Sequence, residues 1–255
     1  MKLKKRNIFI TGGAKRIGAC ISEVLSSLGC NVVIHYNNSF SAADKLSKKI
    51  NKVKEKSITV KANLKNEEEI EKAFKKAIKR FGYIDCLINN ASLFEYDNLK
   101  TVNSKSWNNH ISANLSGPLI LSKLFYKHLP NKLKGDIINI LDQRVLNLTP
   151  HFLSYTISKS ALWTMTNTLA LELAPKIKVN AIGPGPVIKS QFQNEKEFLK
   201  QCKNMPLKIG SNPNEIADTI IFLLSIPSIT GQIITLDGGQ HLGWGQVNKS
   251  SKIKD

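Results

Sequence analysis

Tyr155, Lys159 and Asp142 are the residues of this chain whose types and spacing could do chemistry together. Positions four apart share one face of a helix, so a phenol at 155 and an ammonium at 159 can point into the same cleft. An ordinary phenol, with a pKa of about 10, exchanges its proton poorly near neutrality, and a neighbouring ammonium lowers that value by favouring the phenolate. A phenol tuned in this way can give a proton to a carbonyl or imine as a hydride arrives. Asp142, thirteen positions before Tyr155, adds a carboxyl group that repels the ionised phenol and so opposes Lys159, keeping Tyr155 protonated to higher pH. The bland alternative is that this carboxyl merely pairs with Arg144 or Lys159.

These groups need a scaffold that holds a helix beside strand ends. Strand-like apolar runs at 7–11, 31–36, 57–62, 84–88, 136–141, 178–182 and 232–236 alternate with amphipathic stretches, the pattern of a parallel sheet covered by helices on both faces. No repeat or linker divides the chain, so a single doubly wound, Rossmann-type α/β domain of about seven strands is expected over 1–255, with basic tails at 1–5 and 246–255.

The first strand runs through TGGAKRIG, residues 11–18, into an apolar-periodic helix. Glycines there let a pyrophosphate approach the helix N-terminus, whose free amides and dipole favour an anion. The second strand ends in HYNNS, with no carboxylate to bond an adenosine ribose. His35, Asn37, Asn38 and Ser39 are neutral donors and Arg16 lies on the first turn, so a 2′-phosphate is admitted and NADPH is expected over NADH. Asn89, Asn90 and Ala91 fall at the carboxyl end of the fourth strand, the edge at which open sheets bind ligands. Phe94 suits either core packing or stacking on a flat ring. Asn114 sits in a helical stretch, where asparagine is disfavoured and can interrupt the hydrogen bonding and hold a water.

With 42% hydrophobic residues in 255, the chain can bury one substantial core. It has no apolar run of eighteen, so neither a membrane span nor a signal peptide is expected. Four scattered cysteines without metal-like spacing fit a reducing cytoplasm, with no zinc site and no disulfide framework. The net charge of +18 invites a nucleic-acid reading, but the lysines are spread over the whole chain, and a phosphorylated cofactor is the anionic partner expected instead.

Taken in order, TGGAKRIG, NNAS, Asn114, Tyr155 with Lys159, VNAIGPGPV and LDGG resemble the signatures of the short-chain dehydrogenase/reductase family over nearly the whole length. The resemblance implies that Tyr155 is the acid/base, that Lys159 lowers its pKa and binds the nicotinamide ribose, and that Asn114 holds a water of the proton relay. It implies cofactor contacts from Gly12, Lys15, Arg16, Ile17 and Gly18, from His35, Asn37, Asn38, Ser39, Asn63 and Leu64, and from Asn90, Ala91 and Ser92. Pro184, Gly185 and Val187 would meet the nicotinamide side, 188–206 would form a substrate lid, and the assembly would be a homo-oligomer, a tetramer or a dimer.

Three positions depart from the common family pattern: Arg16 stands for a glycine of the turn, Asp142 for the catalytic serine and Asn63 for an aspartate. The first two departures are shared with the pteridine reductase and dihydromonapterin reductase branch, which the chain resembles at TGGAKRIG, HYNNS and NASLF. That likeness implies that Arg16 contacts cofactor phosphate and pterin, that Phe94 stacks the pterin against nicotinamide, and that Asp142 joins Tyr155 in proton delivery. Chemistry gives a separate reason for a carboxyl: reducing a C=N bond requires protonating a ring nitrogen, and a carboxyl can also engage an amino-pyrimidine edge. The expected function is NADPH-dependent, metal-free reduction of a pterin of the dihydromonapterin or dihydrobiopterin kind, with dihydrofolate a secondary substrate. A carbonyl reductase acting on a 3-oxoacyl thioester or another ketone, and a catalytically silent NADPH-binding regulator, are the alternatives.

Overall fold

Several strand segments are apolar without alternation, as in NIFI and CLIN, because parallel strands covered on both faces bury every side chain. A computed structural model describes residues 5–52, 56–189 and 193–243. The expected tail at 246–255 and most of that at 1–5 lie outside the described residues. The strands are β1 (Asn7–Ile10), β2 (Asn31–Tyr36), β3 (Ser57–Lys61), β4 (Cys86–Asn89), β5 (Gly135–Ile140), β6 (Ile177–Pro184) and β7 (Ile233–Leu236). They form one seven-stranded sheet in the order β3-β2-β1-β4-β5-β6-β7, each pair parallel. The expected architecture holds, with ends displaced: β4 starts at Cys86 rather than 84, and β6 runs on to Pro184, carrying the Gly-Pro segment into the sheet.

Helices α1 (Arg16–Ser27), α2 (Phe40–Asn51), α3 (Glu67–Phe81), α4 (Ser104–Ile111), α5 (Gly117–His128), α6 (Leu153–Glu172), α7 (Glu195–Lys203) and α8 (Pro213–Ser225) complete the chain. Alternate residues of β1 face opposite layers. Ile8 and Ile10 pack with Ile21 and Leu25 of α1 and Ile220 of α8, whereas Phe9 packs with Phe74 of α3 and Phe125 of α5. Strand order reverses between β1 and β4, which opens a crevice at their carboxyl ends. Near the opposite edge, Arg6 bonds Asp136 at 2.7 Å and lies 3.3 Å from Asp85, locking the sheet far from that crevice. No described helix is long and apolar enough to cross a membrane.

Candidate active site

The start of α1 is built to leave amides free. Lys15, the N-cap of α1, makes no side-chain cap, and the first turn of the helix has no acidic residue, so the leading amides are left for an outside anion. Gly18 packs against the turn so closely that a Cβ would lie 2.1 Å from the Gly12 carbonyl oxygen. Asn90 fastens the turn to the end of β4 by donating from Nδ2 to the oxygens of Thr11 and Gly12. Gly12, Lys15, Arg16, Ile17 and Gly18 share a cavity of about 450 Å³ with Asn37, Asn38, Ser39, Asn90, Ala91 and Ser92. Asn63 and Leu64 line an adjoining recess with Asn37 and Asn38. Arg16, with φ of 52°, donates from Nη2 to the carbonyls of Ile188 and Lys189 at 3.1 Å each, joining the turn to the start of the expected lid.

His35 does not stand with its neighbours as a donor at the cavity mouth. Its ring lies beneath the turn: Nδ1 accepts from Gly12 N at 3.1 Å, and Nε2 is 3.0 Å from the Ala62 oxygen, to which it donates. Burial lowers its pKa to about 4, so the ring is neutral. Side chains on a strand alternate, and His35 shares the face of Val33 with its ring stacked on Phe9 at 6.2 Å. The expectation of a free donor is corrected to a prop under the glycine turn, and the ring also borders the recess lined by Asn37, Asn38, Asn63 and Leu64.

α6 places Tyr155 and Lys159 on one face, as their spacing requires. Tyr155 Oη donates to Asp142 Oδ2 at 2.9 Å. The other carboxylate oxygen accepts from Arg144 N at 2.9 Å and lies 3.9 Å from its Nε, so Asp142 serves the phenol and Arg144 together. Lys159 is fully enclosed and donates to the Ile140 carbonyl at 2.7 Å; burial lowers its pKa to about 8. Tyr155 is pushed well above the usual phenol value by burial first and then by the Asp142 charge and hydrogen bond, with Arg144 opposing. The expected lowering by Lys159 is therefore corrected: that ammonium is directed at a backbone carbonyl, 5.9 Å from the Tyr155 ring centre. The expected opposition from Asp142 is what the geometry displays.

Asn114 does interrupt its helix, in a wide turn at Ser112–Ser116 with i to i+5 bonding. Its amide is filled, however: Oδ1 accepts from Leu93 N at 2.7 Å and Ser92 Oγ at 3.4 Å, and Nδ2 donates to Leu93 O and Ser158 Oγ at 3.0 Å each. A side chain with all four positions used braces the segment after β4, which leaves the backbone of Asn114 as the place for the expected water.

Pro184, Gly185 and Val187 at the end of β6 border a recess shared with Arg16, Asp142, Tyr155 and Lys159. The residues gathered at the β1/β4 crevice thus combine an anion-ready turn with a proton-bearing cluster. Residues 12–241 match the family described as Enoyl-(Acyl carrier protein) reductase. The chain is 32% identical to a 3-oxoacyl-[acyl-carrier-protein] reductase of Synechocystis, over 90% of this chain and 94% of that protein. It belongs to the short-chain dehydrogenase/reductase family. Glucose 1-dehydrogenase 2 of Bacillus subtilis is 31% identical over 94% of this chain and 96% of its own. The structure of FolM Alternative dihydrofolate reductase 1 from Brucella canis, complexed with NADP, superposes with a TM-score of 0.93 at 40% identity and 99% coverage of both chains. This short-chain reductase is an NADP-dependent oxidoreductase.

Beyond the family positions, the reductase holds a larger cavity of about 690 Å³ that joins Arg16, Phe94, Asp142, Arg144 and Tyr155 to residues not singled out in the sequence: Tyr96, Gln143, His151, Phe152, Phe198 and Gln240. Phe94 lies flat on Phe152 at 4.3 Å, and the Arg144 guanidinium sits 4.8 Å from the Phe152 ring centre. Phe198 comes from α7, inside the expected lid; residues 190–192 of that lid lie outside the described residues. A signal for this helix was present, because Asn194 and Glu197 form a reciprocal capping box. No local pattern marks Phe152 or Gln240, which reach the cavity only through the folding of distant segments.

Proposed function

We propose that this reductase hydrogenates a C=N bond of a pterin. The observation that carries the reading is the Tyr155–Asp142 hydrogen bond of 2.9 Å, in a cavity that Phe94 also lines. At about 690 Å³ the space suits a bicyclic ring. When bound, the nicotinamide supplies the hydride. Lys159 would hold its ribose and the segment 184–187 its amide side, while Asn37, Asn38 and Ser39 would bond the 2′-phosphate. Among the described residues, those three side chains have no hydrogen-bond partner of their own. Tyr155 stands protonated at neutral pH and would release its proton from Oη to the ring nitrogen, which becomes basic when the carbon of the C=N bond takes the hydride. Asp142 orients that hydroxyl and accepts from the amino edge of the ring. Gln143 Oε1, Arg144 Nη1 and Gln240 Oε1 are shielded from solvent without a partner, and a nitrogen-rich heterocycle offers the donors and acceptors they lack. The likeness to a dihydrofolate reductase supports the same substrate class.

The likeness to a 3-oxoacyl thioester reductase supports a second reading, reduction of a ketone. NADPH oxidation measured with dihydropterins, dihydrofolate and an acetoacetyl thioester separates the two. Pterin turnover that falls about 10²-fold in Asp142→Asn is expected. Turnover of the thioester alone refutes the pterin reading, and pterin turnover undiminished in Asp142→Ser refutes the role given to Asp142. The exposed apolar side chains Leu119 and Tyr126 of α5 and Ile157 and Leu171 of α6 support a homo-oligomer, a tetramer or a dimer. Light scattering that gives a monomer mass overturns that part.

A further inference from the structure

The segment after β4 is extended and fastened at alternate residues. Leu93 is held through both backbone groups by Asn114, and Glu95 N donates to His110 Nε2 at 3.3 Å. Asp97 is held hardest. Its carboxylate is buried, with 2% of the residue exposed, and its Oδ1 accepts from Ser154 N at 2.9 Å. Its Oδ2 accepts from the hydroxyls of Ser154 and Ser106, and its backbone oxygen accepts from Leu153 N at 3.1 Å. The residues between the fastened ones, Ser92, Phe94 and Tyr96, face the large cavity.

Helix α6, which carries Tyr155, has no cap of its own. The residue at its N-cap position is Phe152, left-handed at φ 60°, with no side-chain capping bond. Orphan amides at a helix start need an acceptor, and a carboxylate there also meets the positive end of the dipole. Asp97, more than fifty positions upstream, is that acceptor. One side chain therefore joins the end of the Phe94 segment to the residue immediately before Tyr155.

We propose that Asp97 is a positioning residue that caps α6 from outside the helix and sets the Tyr155 hydroxyl in register with the Phe94 ring. The link to Phe94 rests on the reading of that ring as the substrate platform; the cap itself does not. The three fastenings make the 92–97 segment a fixed wall of the cavity. Asp97→Asn keeps an acceptor for Ser154 N while removing the charge, and Asp97→Ala removes both.

The test combines hydride transfer with amide exchange on the full-length variants, below their melting temperatures. In Asp97→Ala, kcat for the productive acceptor, pterin or ketone, is expected to fall about 10²-fold from the misplacement. NADPH affinity, read by fluorescence titration, should stay within about twofold, because Asp97 lines neither the glycine turn nor the 2′-phosphate cavity. Exchange at Ser154 should accelerate about tenfold, the worth of a lost cap. Asp97→Asn should recover most of kcat. In a Phe94→Ala background the loss caused by Asp97→Ala should largely disappear, since the register it maintains no longer matters. Unchanged kcat in Asp97→Ala, unchanged exchange at Ser154, or a loss fully additive with Phe94→Ala overturns the proposal. Failure of pterin turnover with the exchange and ketone readouts as expected would sink only the substrate assignment.

Discussion

Replacing Lys159 by Met separates what this residue does for chemistry from what it does to stability. The ammonium is enclosed, and its pKa is lowered from 10.5 to about 8 by burial. A depressed lysine binds fewer protons folded than unfolded across this window, so the wild type gains stability as pH rises from 8 to 10.5. Below that window, holding the charge inside costs about 3 kcal/mol. Lys159→Met removes this cost but strips the Ile140 carbonyl of its 2.7 Å donor, a loss of about 1–3 kcal/mol. At pH 7 the variant should therefore be as stable as the wild type or up to about 2 kcal/mol more so, and by pH 10.5 less stable by about 1–3 kcal/mol. Urea unfolding of both proteins at pH 7 and pH 10.5 checks this. The difference between their unfolding free energies should move by about 3 kcal/mol in favour of the wild type, while the variant turns over at least about 10²-fold more slowly at pH 7. A stability difference that stays constant over this range refutes the claim that Lys159 is held as a penalised charge, whatever happens to activity.

Gly18→Ala should abolish cofactor binding, because its Cβ would fall 2.1 Å from the Gly12 oxygen in the glycine turn; NADPH fluorescence titration gives the readout. His35 is neutral in the fold with a pKa of about 4, so stability is lost as pH falls through the window from 6.5 to 4. His35→Gln should flatten this acid limb in thermal melts between pH 4 and 7, while weakening NADPH affinity through the disturbed Gly12 turn. An acid limb of unchanged depth would show that another group controls it.

The chain by itself determined the alternation of strands and helices, since continuous apolar runs and helical periodicity are local properties of the side chains. It also placed Tyr155 and Lys159 on one face, because a separation of four is set by helix geometry and needs no partner. The glycine turn was legible for the same reason. His35 was misread at the chemical level although its parity with Val33 already put it on the buried face of β2. Tertiary structure decided which group each ionisable side chain answers to. Lys159 turns to Ile140 and Asp142 holds the phenol, a choice made by where α6 lies beside the carboxyl end of β5 and not by spacing along the chain. The same applies to Asp97, whose contacts span fifty-seven positions to Ser154. Carboxylates and amides have no directional preference along a sequence, and only the folded backbone brings their partners within reach.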